Sequence, residues 1–206
     1  MTDDNIRDAL ERWIRIDNKG HGYASAFNHE NSDDKRIVEE LTFNEWRKSV
    51  RAEFGVDVNP SQPNPNDPPD FFASCGGKHI SIELVQLVEQ AHKRRATKGE
   101  NPSFGKLFQE TQWSKERLIS KLNTLISMKG EKYRRRGLEI DVLLVHTDEP
   151  WLAPSDANGW LSNVSIEPHP NIKTVSLFFF YEPNRGVDHW PVLTVYGELT
   201  QLSLSR

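Results

Sequence analysis

Two carboxylates near the middle of the chain are the first residues whose types and spacing suggest chemistry. Asp70 follows Pro68 and Pro69 at the mouth of the apolar segment 71–74, and Glu83 sits among Ile80, Ile82, Leu84 and Val85. An ionised carboxylate is costly to bury among aliphatic side chains unless something pairs with it. Gly76 and Gly77 suit a tight hairpin between the two segments, which would fold Asp70 back on Glu83 across thirteen residues. Carboxylates brought together repel unless one keeps a proton or a cation lies between them. Mg²⁺ takes hard oxygen ligands, one or two of them carboxylates, and retains water. Such an ion generates hydroxide and stabilises charge on a phosphodiester. The plainer alternative puts Glu83 on a solvated strand face and makes Asp70 the opening residue of a turn.

Side chains alternate along a strand, so Ser81, Glu83 and Val85 point one way and Ile80, Ile82 and Leu84 the other. If the isoleucines and Leu84 face a helix-covered core, Glu83 looks out of the opposite face, toward the neighbouring hairpin strand and Asp70. Strands are predicted at 71–74 and 78–86, followed by a helix over 87–96. A longer helix over 106–135 carries Trp113, Leu118, Leu122, Leu125, Ile126 and Tyr133. Apolar runs at 140–146 and 175–181 have the length and continuity of strands buried on both faces. A short helix over 155–164 lies between them, and a last strand spans 191–196. Upstream, Ile6, Leu10, Trp13 and Ile14 have helical spacing. A second helix is predicted over 34–54, with a capping box at Thr42 to Glu45 that would restart it. Residues 59–69 contain five prolines in eleven positions, which predicts an extended linker or surface loop. The order describes one α/β domain, a mixed sheet flanked by helices: residues 1–58 form a helical N-terminal part, 59–69 the loop, and 70–206 the core.

The chain has 206 residues and a formal net charge of -4, which argues against bulk electrostatic coating of nucleic acid. Basic residues nonetheless cluster at Lys93, Arg94, Arg95 and Lys98, and at Lys129, Lys132, Arg134, Arg135 and Arg136. The one cysteine, Cys75, excludes an internal disulfide and a multi-cysteine zinc site. The seven histidines show no HxH or HExxH spacing, and no Walker loop, GxGxxG or GxSxG occurs. His146, Thr147 and Asp148 form a polar cluster at a strand end. No apolar run approaches the roughly 18 residues of a membrane span and the first residues are acidic, so a soluble, cytoplasmic protein is expected.

The succession Pro-Asp, hairpin, IELV, helix and buried IDVLLV strand resembles the core of the PD-(D/E)xK nuclease superfamily, the restriction-endonuclease-like fold, from Pro69 to about Val145. The resemblance implies a Mg²⁺ or Mn²⁺ ion held by Asp70, Glu83 and the Leu84 carbonyl, and a DNA substrate. Val85 stands where the family has its lysine, and valine can neither orient water nor neutralise developing charge. Members of the family sometimes recruit the lysine from a neighbouring helix. Lys129 falls on the apolar stripe of the long helix, within IxxKxxKY, a run similar to a helix of uncharacterised PD-(D/E)xK-like proteins. Gln86, Glu89, Lys93 and Lys132 are further candidates, and this fold sometimes brings an acidic residue from the preceding helix, here Glu39, Glu40, Glu45 or Glu53. The expected activity is a Mg²⁺-dependent endonuclease-like phosphodiesterase, with room for a homodimer and none for a membrane. The alternative is the same fold with a lapsed site, acting as a nucleic-acid-binding or protein-interaction module.

Overall fold

A computed structural model describes residues 32–64, 68–89, 112–149, 152–180 and 188–202. The expected first helix and most of the expected 87–96 helix lie outside these residues, as does Lys93. The described part is an α/β arrangement built on a six-stranded mixed sheet with spatial order β1 to β6 following chain order. The strands are β1 (Val58–Pro63), β2 (Phe71–Cys75), β3 (Lys78–Gln86), β4 (Ile140–Thr147), β5 (Ile172–Phe179) and β6 (Val192–Tyr196). The described α-helices are α1 (Ser32–Phe54), α2 (Lys115–Arg136) and α3 (Pro154–Leu161), and a 3₁₀ turn follows at Leu199–Leu202.

The first three strands form an antiparallel meander, β3–β4 and β4–β5 are parallel, and β6 returns antiparallel. Parallel neighbours need a crossover; α2 lies between β3 and β4 in the chain, and α3 between β4 and β5. Such strands are covered on both faces, which is why IDVLLVHT reads as a continuous apolar run. On one face Phe43, Trp46 and Val50 of α1 pack against Ile80, Ile82, Leu84, Val142, Leu144 and Phe178. On the other, Leu118, Leu122, Ile126 and Tyr133 of α2 pack with Leu143, Val145, Val175 and Leu177. Trp46 donates its indole N–H to Ser176 Oγ at 3.0 Å, satisfying both polar groups inside the first of these layers.

Several sequence expectations need correction. The proline-rich stretch is not a loop throughout: Val58–Pro63 is an edge strand, paired to β2 with an irregularity between Pro60 and Pro63. Proline lacks an N–H but can sit on a sheet edge, where that donor has no partner to serve. The helix does not restart at Thr42, because α1 runs unbroken and Thr42 is buried within it. Leu87 to Glu89 are not helical: the Leu87 N–H donates to the His146 carbonyl at 2.8 Å, and Thr147 Oγ1 donates to the Leu87 carbonyl at 2.9 Å, holding this segment against β4. The long helix starts at Lys115 rather than 106. Ser114 caps it by accepting the Arg117 N–H, and it closes at Gly137, whose φ of 64° suits glycine.

Candidate active site at the end of the central hairpin

β2 and β3 pair from Cys75–Lys78 to Phe71–Ile82, but β3 runs on to Gln86. Among the described residues no strand pairs with 83–86 on the β2 side. The Leu84 N–H donates instead to Asp70 Oδ2 at 2.7 Å, so the Asp70 carboxylate replaces the next ladder partner. The predicted hairpin therefore brings Asp70 to the rungs just beyond its last pair, beside Glu83.

Glu83 is on the face opposite Ile82 and Leu84, as alternation requires, but that face is not solvated: helix α2 covers it and Glu83 is 1% exposed. A carboxylate so placed needs a cation. Lys129, from the fourth turn of α2, donates to Glu83 Oε1 at 2.7 Å and reaches the Leu84 carbonyl at 3.4 Å. Lys132, one turn further on, lies 3.9 Å from the same carboxylate oxygen. Glu83 Oε2 is buried and has no hydrogen-bond partner among the described residues. Burial, and then repulsion from Glu83, push the Asp70 carboxyl up to about 7, against the opposing pull of the Leu84 N–H and Lys129.

A cavity of about 330 Å³ opens at this point. Its α2 side is formed by Glu83, Val85, Lys129 and Lys132, and its α1 side by Lys35, Val38 and Glu39 with Leu84, Gln86 and His146 beneath. Of the four acidic residues of α1 considered from the sequence, Glu39 is the one that reaches the cavity; it pairs with Lys35 at 3.2 Å. Glu40, Glu45 and Glu53 pair instead with Arg36, Lys48 and His189 away from it. The structure therefore brings Asp70, Glu83, Leu84, Gln86, Lys129 and Lys132 together. Val85 lines the cavity but contributes only hydrocarbon. Sequence reasoning did not select Lys35, and it placed His146 in a strand-end cluster without linking it to Asp70. A polar residue closing an otherwise apolar strand was the available signal for His146.

The donor set can be tested against the ion that the resemblance implies. Among the described residues no group of three or more His, Cys, Asp or Glu side chains is arranged to hold a metal. Two carboxylates and a carbonyl nevertheless fit a magnesium-like ion that keeps several waters. Among the described residues Glu83 Oε2 is an acceptor without a donor, and Leu84 O receives a long contact from Lys129. Compared with known proteins, the chain matches no family model, no curated sequence and no solved structure. Among the described residues no helix is long and apolar enough to cross a membrane.

Proposed function

We propose that this protein is a divalent-metal-dependent phosphodiesterase with a restriction-endonuclease-like fold, acting on DNA. The observation that carries this reading is the Lys129–Glu83 contact of 2.7 Å beside a Glu83 Oε2 that has no donor among the described residues. The sequence departs from the nuclease motif at Val85, and the Lys129 ammonium beside Glu83 supports reading Lys129 as a substitute for the motif's lysine.

Asp70, Glu83 and the Leu84 carbonyl would hold a divalent ion, which would supply charge neutralisation for the phosphodiester and activation of water. Glu83, fixed inside the sheet, positions Lys129. The Lys129 ammonium hydrogen-bonds the attacking water and stabilises its developing hydroxide. Lys132 and Lys35, at the two sides of the cavity, face the phosphate oxygens. Water adds to phosphorus, the phosphorus–oxygen bond on its far side breaks, and the products are a phosphomonoester and an alcohol.

One feature favours a binding module without hydrolysis: Lys129 and Glu83 already neutralise each other. Plasmid nicking in Mg²⁺ or Mn²⁺ separates the two readings. Wild-type protein nicks the plasmid, and Glu83→Gln and Lys129→Met each reduce the rate by on the order of a hundredfold or more, the usual scale for loss of a positioned charge. Nicking by either variant at the wild-type rate would remove that residue from the chemistry.

A further inference from the structure

The Lys129 ammonium sits where a small cation would sit. It donates to Glu83 Oε1 at 2.7 Å and reaches the Leu84 carbonyl at 3.4 Å, so it touches two of the three donors assigned above to a divalent ion. The third, Asp70, meets the same residue through its other backbone group, the Leu84 N–H, at 2.7 Å. Among the described residues no strand pairs with Leu84 on this edge, and the two side chains take the place of one. The ammonium also supplies the charge that Glu83, buried in the sheet, needs in order to stay ionised.

Two features separate this arrangement from an ion pair built for stability alone. Such a pair offsets its desolvation best when every carboxylate lone pair is served, yet Glu83 Oε2 has no donor among the described residues. Lys132, moreover, lies 3.9 Å from the same Glu83 oxygen, so two ammonium groups already crowd one buried carboxylate. A divalent ion added to Glu83 and the Leu84 carbonyl would meet strong repulsion from a Lys129 held in its present place. The Lys129 side chain has room to leave: it is partly exposed, it borders the cavity, and its four-carbon stem is flexible.

We propose that Lys129 is a placeholder cation: in the metal-free protein its ammonium holds Glu83 and the Leu84 carbonyl in the arrangement that a divalent ion needs, and it yields them when the ion binds. The displaced ammonium moves into the cavity, where a phosphodiester is its counter-charge. This rests on reading the cavity as a metal-dependent phosphodiester site and adds a regulation to it. Glu83 stores Lys129 while the site is unloaded, and loading the site releases Lys129 to the substrate.

The test is Mn²⁺ binding to the full chain without substrate, followed by electron paramagnetic resonance of the free ion. Lys129→Met binds Mn²⁺ about tenfold or more tighter than wild type, within the usual range of coupling between two ligands. Lys132→Met removes a charge 3.9 Å from the same oxygen but vacates no donor, and it changes affinity by about threefold or less. Adding Asp70→Asn to Lys129→Met removes the gain, which locates the ion at the carboxylates. Lys129→Gln, which keeps a neutral donor to Glu83, gives the same comparison if Lys129→Met folds poorly without metal. A merely structural ion pair predicts the reverse: loss of Lys129 disorders Glu83, and Mn²⁺ binding and plasmid nicking weaken together. A placeholder variant instead binds Mn²⁺ more tightly while nicking more slowly. Affinity at or below wild type in both Lys129 variants, or a gain matched by Lys132→Met, overturns the proposal, and the hydrolase reading then stands or falls on wild-type nicking. A tenfold gain in a protein that never nicks DNA sinks the hydrolase reading and leaves the placeholder standing.

Discussion

Asp70 carries the clearest energetic consequence at the scale of single residues. Its carboxyl titrates near 7 in the folded chain, whereas an unfolded Asp titrates near 3.9. Between those values the folded state binds the extra proton, so raising pH favours unfolding. The stability tied to this proton is complete below about pH 4 and is lost as pH passes through about 7. Asp70→Asn keeps the shape and an acceptor for the Leu84 N–H but has no proton to lose. Compared with wild type it is expected to gain relative stability from pH 5 to pH 8, on the order of 1 to 3 kcal/mol after allowing for partial solvent access. Urea midpoints across that range check this, and a parallel pH dependence in both proteins would refute it. A divalent cation should oppose the effect by favouring the ionised carboxyl, so Mn²⁺ stabilises wild type more at pH 8 than at pH 5 and stabilises Asp70→Asn little. At this scale the sequence was informative where a residue broke a pattern. Glu83 in an aliphatic strand and Lys129 on an apolar helical stripe were visible although 46 positions apart. Lys35 was not, and Glu39 could not be singled out from the other α1 carboxylates, because an exposed-looking helix charge is identical in sequence whether it meets solvent or a cavity.

Among the elements, α2 decides whether the site exists, and its fit depends on the residue after Lys129. Gly130 is buried in α2, and a Cβ there would overlap the His169 ring. That ring is held in place: His169 Nδ1 accepts the Asn171 N–H at 3.2 Å, and the His169 N–H donates to Tyr196 Oη at 3.3 Å. Glycine is normally the poorer helix former, by about 1 kcal/mol relative to alanine. Gly130→Ala is nonetheless expected to lower the thermal midpoint, because overpacking against a fixed ring costs roughly 1 to 3 kcal/mol. In a His169→Ala background the sign reverses, and the same substitution becomes stabilising by about 1 kcal/mol. A midpoint rise from Gly130→Ala in the wild-type background would show that the ring yields freely. Most elements were legible from periodicity, since strands β2 to β6 and helices α1 to α3 coincide with alternating, continuous or helical apolar patterns. The edge strand β1 was not, because its pairing comes from a neighbour reached only after the hairpin folds, while its local proline content argues for a loop. The start of α2 was misplaced because residues 106–114 continue no contrary signal strong enough to stop the stripe before the Ser114 cap.

For the whole molecule, a net charge of -4 limits how nucleic acid can be held. Among the described residues the cavity presents three lysines, Lys35, Lys129 and Lys132. If these supply the phosphate contacts, binding of single-stranded DNA loses affinity with a log–log salt slope of about -2, at roughly 0.7 per contact. Fluorescence anisotropy over a salt series measures it. A slope of about -5 or steeper would need roughly seven contacts and so bring in further basic residues such as the run from Lys93 to Lys98, outside the described residues. The bare segment of β3 has a consequence of a different kind. An open strand edge of good β-formers invites another chain to pair with it and seed aggregates. Here that edge is Glu83 to Gln86, and it is fenced by Asp70, Lys129 and Lys132. Among the described residues that edge has no strand partner, so a variant that swaps those charges together for apolar residues is expected to aggregate more readily than wild type, as light scattering would show.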